Sequence, residues 1–161
     1  MGASRSSGAT PAIRFHRMDA LPHWEPGTAA VLCVPGPHAI PVSTAIRSGE
    51  LRVLLALGRR RETLERLRED ASAALCVMAK GLAFTAGGRA AVVRAPLRTQ
   101  PSAVALELVV DRITDHLADG RTEMLAPPGW RWSDDAASAA EPEILSELRE
   151  LAAELRDAPA D

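Results

Sequence analysis

The stretch Leu54–Asp70, LLALGRRRETLERLRED, changes character twice within seventeen residues. Leu51, Val53, Leu55 and Leu57 alternate along LRVLLAL, the period-two pattern of a strand with one core face. Gly58 ends that run, and Arg59, Arg60 and Arg61 follow it directly. From Glu62 the apolar positions fall at Leu64, Leu67 and Ala71, which is helical spacing. Glu62 and Arg66 are four apart, in the orientation that favours a helix ion pair. Three cations therefore stand where a strand hands over to a helix, at the end whose free N–H groups already carry partial positive charge. That conflict is relieved if an anion such as phosphate sits among them. A solvated basic turn is the competing reading.

Upstream, TAAVLCVPG reads as a strand closed by a Pro35-Gly36 turn, and HAIPVSTAI as a second strand. In the latter Ile40, Val42, Thr44 and Ile46 share one face, with Pro41, Ser43 and Ala45 on a small opposite face that leaves room for something flat. Pro41 cannot donate to a ladder, which favours a sheet edge there. Arg47–Glu50 reads as a hairpin turn into LRVLLAL. Downstream, AALCVMA is a strand, GLAFTAGGRAAVVRAPL reads as two strands around Gly87-Gly88, and SAVALELVVDRI is another, with Val104, Leu106, Leu108 and Val110 inward. A Pro/Gly-rich loop carries Trp130 and Trp132. EPEILSELRELAAELR then forms an amphipathic helix with Pro142 suited to its first position.

The order is about six short antiparallel strands, one helix after the third and a C-terminal helix. This is a mainly β, α+β arrangement that closes more naturally as a small barrel than as a βαβ sheet. Residues 1–12 are small and polar and are expected to be disordered, leaving 13–161 as a single domain.

The chain has 161 residues and a net charge of -2, so its overall charge favours neither nucleic acid nor an anionic membrane. No apolar run approaches the roughly 18 residues of a membrane span. The N-terminal residues lack a secretory core, and a cytoplasmic protein is expected. Cys33 and Cys76 lie in apolar runs and read as small buried hydrophobes. The four histidines (His16, His23, His38 and His116) show no metal-ligand spacing. Asp134-Asp135 reads as a helix-entry feature. No nucleophile or acid–base constellation emerges, so the catalytic residues are unknown, and hard chemistry would belong to a cofactor.

In its order, the segment PHAIPVSTAI, turn, LRVLLALGRRRETLERLREDASAALCVMAKGLAFTAGGRAAVVR resembles the pyridoxamine 5'-phosphate oxidase-like, flavin-binding split-barrel family. The match spans about half of the chain, Ala29 to Ile113. The resemblance implies a six-stranded split barrel that forms a homodimer with FMN at the interface. It implies phosphate binding by Arg60, Arg61 and Thr63, with Arg59 close by. It places the flavin ring along Ala56, Leu57 and Gly58, facing Val42, Ser43 and Thr44, with Trp130 and Trp132 as its cover. It further implies hydride transfer to or from a small organic substrate. A deazaflavin cofactor in the same fold, or a non-catalytic flavin-binding or sensor module, are the alternatives. Strand faces such as Pro41/Ser43/Ala45 and Leu54/Ala56, with no obvious cover in the chain, point independently to a dimer.

Overall fold

The computed structural model describes residues 16–126 and 129–157. The expected N-terminal tail and part of the Pro/Gly loop lie outside these residues.

Seven strands form one antiparallel sheet: β1 (Ala30–Val34), β2 (His38–Val42), β3 (Ile46–Gly49), β4 (Arg52–Gly58), β5 (Ser72–Ala79), β6 (Leu82–Arg94) and β7 (Ala103–Asp115). Helix α1 (Glu62–Glu69) follows β4, and α2 (Asp135–Asp157) ends the described chain. The order across the sheet is β2-β1-β5-β6-β7-β4-β3. Its outermost strands, β2 and β3, are joined by only Ser43, Thr44 and Ala45. Four Cα–Cα steps reach no more than about 15 Å, so the two edges must come together and the sheet curls on itself.

The seven strands differ from the expected ones first at a break. HAIPVSTAI is not a single strand. Val42 packs in the barrel interior, whereas Ile46 packs in a second cluster outside it. The irregular link lets the chain change faces. Arg47, Ser48 and Gly49 belong to β3 rather than to a turn, and the reversal falls at Glu50-Leu51. The first helix therefore follows the fourth strand, not the third.

Gly87-Gly88 is not a turn either. It lies inside β6, where the register with β7 shifts. A Cβ on Gly88 would run into the Val109 carbonyl oxygen, so glycine here permits close backbone approach.

The barrel interior holds Leu32, Val53, Leu55, Leu75, Phe84 and Leu106 among its fully buried side chains. One side is plugged by the irregular lead-in. Trp24 is buried against Phe84, ring centroids 5.5 Å apart, and its Nε1–H donates to the Ala45 carbonyl at 2.9 Å. That bond also fixes the end of the β2–β3 link. Pro41 lies on β2, an edge strand, as its missing donor requires.

Helix α2 covers the outer face. Leu148, Leu151 and Ala152 are buried against Ile46, Leu54, Ala103 and Ala105, with Ala56 beside them. Burying each leucine contributes about 1.5–3 kcal/mol. The Leu54/Ala56 face, expected to need a second subunit, is thus covered within the chain, and Ala45 is also fully buried. The helix begins earlier than expected. Asp134 Oδ1 accepts the Ala137 N–H at 2.7 Å, a capping bond, and Pro142 lies inside the helix rather than at its first position. Among the described residues, no helix is long and apolar enough to cross a membrane.

Candidate functional site

The strand-to-helix junction is a tight turn. The Arg61 N–H donates to the Gly58 carbonyl at 3.2 Å, and the Arg59 N–H donates to the Ser102 carbonyl at 2.8 Å. Arg61 is the N-cap residue of α1, in extended conformation and without a side-chain capping bond. Arg59, Arg60 and Arg61 are all exposed. Among the described residues none of the three makes an ion pair or a side-chain hydrogen bond.

The nearest acid does not neutralise them. Glu62 Oε1 is taken by Arg66, at 2.5 Å from Nη2 and 3.0 Å from Nε. The hydrogen bond and charge of Arg66 hold the Glu62 carboxyl below its ordinary pKa. This is the helix pair expected from the sequence. Arg66 is committed further, through Nη1 donation to the Pro35 and Gly36 carbonyls at 3.2 and 2.9 Å, which ties α1 to the β1–β2 turn.

Gly58, the three arginines and Ser102 line an open hollow of about 470 Å³. Its wall is polar and cationic, and Ser102 adds a hydroxyl that is engaged by Gln100 at 3.0 Å.

A second, narrower hollow of about 190 Å³ adjoins Gly58 and Arg61. It brings together Val42 at the end of β2 and Ser43 and Thr44 of the β2–β3 link with Ala56, Leu57 and Gly58 from β4. These are the two segments that the resemblance places beside the flavin ring. Trp132 and Ile144 also border it. Thr44 braces the two segments: its hydroxyl donates to the Ala56 carbonyl at 3.2 Å and accepts the Ala56 N–H at 3.0 Å. Ser43 Oγ donates to Glu141 Oε1 on α2 at 2.9 Å.

Two expected contributors sit elsewhere. Thr63 is buried and its hydroxyl is 3.0 Å from His38 Nε2, so it is not among the residues lining the arginine hollow. This pairing gives His38 and Thr63 a packing role between β2 and α1. Trp130 is not among the residues lining the narrow hollow. Its Nε1–H donates to the Gly27 carbonyl at 3.3 Å, and it meets Trp132 edge-on, centroids 5.3 Å apart. Trp130 thus buttresses Trp132.

Ser102, Glu141 and Ile144 were not anticipated. Each reaches the site from a distant part of the chain, and no local pattern marks any of them. Among the described residues, no group of histidine, cysteine, aspartate and glutamate is disposed to hold a metal ion. Cys33 and Cys76 are free and half-buried, and burial raises the Cys33 thiol pKa, with Cys76 adding to the rise.

No protein-family model matches the chain, and no curated protein does. The solved structures to which it is similar include pyridoxamine 5'-phosphate oxidase-like proteins and proteins described by flavin or deazaflavin names. A candidate pyridoxamine 5'-phosphate oxidase of Listeria innocua is 18% identical, with the match covering 55% of this chain and 88% of that one at a TM-score of 0.46. A FAD-binding protein of Mesorhizobium loti is 9% identical, with 55% and 84% covered and a TM-score of 0.46. An F420 reductase is also 9% identical, with 54% and 89% covered and a TM-score of 0.44. Each of these matches spans little more than half of this chain, at 18% identity or less.

Proposed function

We propose that this chain is an FMN-dependent oxidoreductase of the split-barrel type. The observation that carries the reading is the run of three exposed arginines with no acidic partner among the described residues, opening beside a hollow lined by Val42–Thr44 and Ala56–Gly58. Donor set and charge suit a phosphate: guanidinium forks take its oxygens pairwise. The small side chains of Ala56 and Gly58 suit a flat ring, and Trp132 supplies an aromatic edge at the rim.

Each part of the chain then has a task. Arg60 and Arg61 hold the phosphate, with Arg59 adding charge. Thr44 fixes the separation of the two walls. Trp132 and Ile144 exclude water from the narrow hollow. The narrow hollow is smaller than the range of about 300–1,000 Å³ usual for ligand pockets, so ring entry requires the first half of α2 to shift outward. A bound flavin supplies two-electron hydride chemistry, and a small organic molecule stacked on its open face is the substrate. Assembly as a homodimer belongs to the same proposal. Leu51 and Val109 are 42% and 45% exposed and offer apolar surface for it.

Absorbance titration of the purified chain with FMN tests the reading, alongside the Arg60→Ala/Arg61→Ala double variant. Uptake at micromolar FMN, weakened at least a hundredfold in the variant, is the expected result. A colourless protein that ignores FMN overturns it.

A deazaflavin cofactor is the second reading. The arginine hollow, at about 470 Å³, is roomier than one phosphate needs, which favours a longer anionic tail. Parallel titration with both cofactors decides, and a clear preference for FMN removes this option.

A further inference from the structure

A third hollow, of about 510 Å³, lies on the other side of Arg59 and Arg60. Its character is different. Leu64 and Leu67 of α1, Ala90 and Val92 of β6 and Val104 of β7 supply an apolar lining. Arg59, Arg60 and Arg68 supply its cations, and no acidic residue lines it. Arg68 is paired with Glu65 Oε1 at 3.0 Å, whereas Arg59 and Arg60 have no such partner among the described residues.

The hollow has a structural origin. Helix α1 is only eight residues long, and β6 loses its regular register with β7 between Val92 and Arg94. Alanines at 71, 90, 91 and 95 leave the gap between them unfilled. Val92, directly opposite the buried Leu106, remains 43% exposed.

A ligand matched to this hollow needs an apolar body and an anionic head. Water satisfies only the cations, and a bare phosphate leaves the aliphatic wall wet. The volume lies within the range of about 300–1,000 Å³ usual for small-molecule pockets. We infer that this hollow binds an amphipathic monoanion of the medium-chain carboxylate class, its chain against Leu64, Leu67 and Val92 and its carboxylate held by Arg68 with Arg59 or Arg60. This site does not depend on the cofactor reading. Arg59 and Arg60 form a wall common to both hollows, but Arg61 lines only the phosphate side and Arg68 only the apolar side.

That asymmetry provides the test. Decanoate and its uncharged counterpart decanol are titrated calorimetrically into the full chain, with FMN titrated separately. The wild type is expected to bind decanoate at least tenfold more tightly than decanol. Arg68→Ala should weaken decanoate roughly tenfold or more, as loss of a charge-assisted contact does, and leave FMN affinity unchanged. Arg61→Ala should do the reverse. Val92→Trp, at an exposed position, should fill the hollow and abolish decanoate binding with an unchanged melting temperature.

Equal binding of decanol and decanoate, or indifference to Arg68→Ala, overturns the proposal. So does a sedimentation result in which Val92→Trp splits a dimer, since the hollow is then a subunit seam. Decanoate binding that depends on Arg68 in a chain that ignores FMN would sustain this site while removing the cofactor reading.

Discussion

Two groups of arginines in this molecule have opposite fates. Arg94 and Arg98, at and beyond the end of β6, meet a row of carboxylates on α2. Arg94 reaches Glu154 at 2.5 Å and Glu147 at 3.6 Å, and Arg98 reaches Glu150 at 2.6 Å and Glu147 at 3.5 Å. Glu147 is itself buried, and also accepts the Arg98 N–H, the Thr99 N–H and the Thr99 hydroxyl at 2.8–2.9 Å. Among the described residues, Arg59, Arg60 and Arg61 have no comparable partners. The first group clamps α2 to the sheet, and its charges are settled within the fold. The second stays exposed to solvent, its charges free to meet a ligand under the function proposed above.

The comparison breaks first at Glu147. Glu147→Ala leaves two backbone donors and the Thr99 hydroxyl without their acceptor, removes the carboxylate 3.5–3.6 Å from the Arg94 and Arg98 guanidinium groups, and should cost about 3–5 kcal/mol of stability. Denaturant unfolding measures this, and a loss under 1 kcal/mol would mean that α2 is held by its leucines alone. Acid should act on the same residue. Burial raises the Glu147 carboxyl pKa, but hydrogen bonds from Arg98 and Thr99 and the Arg98 charge outweigh it and lower the value from 4.5 to about 2. A depressed folded pKa gives stability that is present above about pH 4.5 and lost as pH falls toward 2, about 3 kcal/mol in all. Unfolding curves at pH 5 and 2.5 should show the fall, and Glu147→Gln should flatten it.

The unsettled group should respond in affinity rather than stability. Arg60→Ala should lose about 1.5–3 kcal/mol of FMN binding, read by fluorescence titration, and the loss should shrink at high salt. A smaller effect is expected at Ser43→Ala. It removes the bond to Glu141 and should cost about 0.5–1.5 kcal/mol, seen as faster hydrogen exchange in the first half of α2. Smallest of all, Arg59→Ala should change folding stability by no more than about 0.5 kcal/mol. A larger loss would show that the triplet has a structural role after all.

Much of the fold was legible because the strands obey their period. β1, β5 and β7 fall where their apolar runs predict, and Leu64 and Leu67 mark the buried face of α1. The misreadings have a common cause. At Ser43–Ala45, Gly87-Gly88 and Pro142 the local pattern points one way, and tertiary contacts decide otherwise. The β2–β3 link breaks a strand that alternates cleanly in sequence. The glycine pair continues a strand because the Val109 backbone crowds it. Pro142 is carried within a helix whose later turns are held by the Glu147 clamp. The site was legible on one side only. Arg59–Arg61 and the two facing segments lie within a contiguous stretch, whereas Ser102, Glu141 and Ile144 arrive through β7 and α2. Thr63 is buried with its hydroxyl against His38, which no spacing pattern connects to it.

The three-residue link between β2 and β3 also bears on how the chain finds its fold. The pairs β5–β6 and β6–β7 are sequence neighbours and can zip early at low entropic cost. Pairing β1 with β5 and β4 with β7 demands closure of much longer loops. Once both have formed, the sheet's outer strands are already tethered to each other, so bringing the edges together needs no further search. Lengthening Ser43–Ala45 would therefore loosen the last step of assembly while leaving the strand pairings themselves intact.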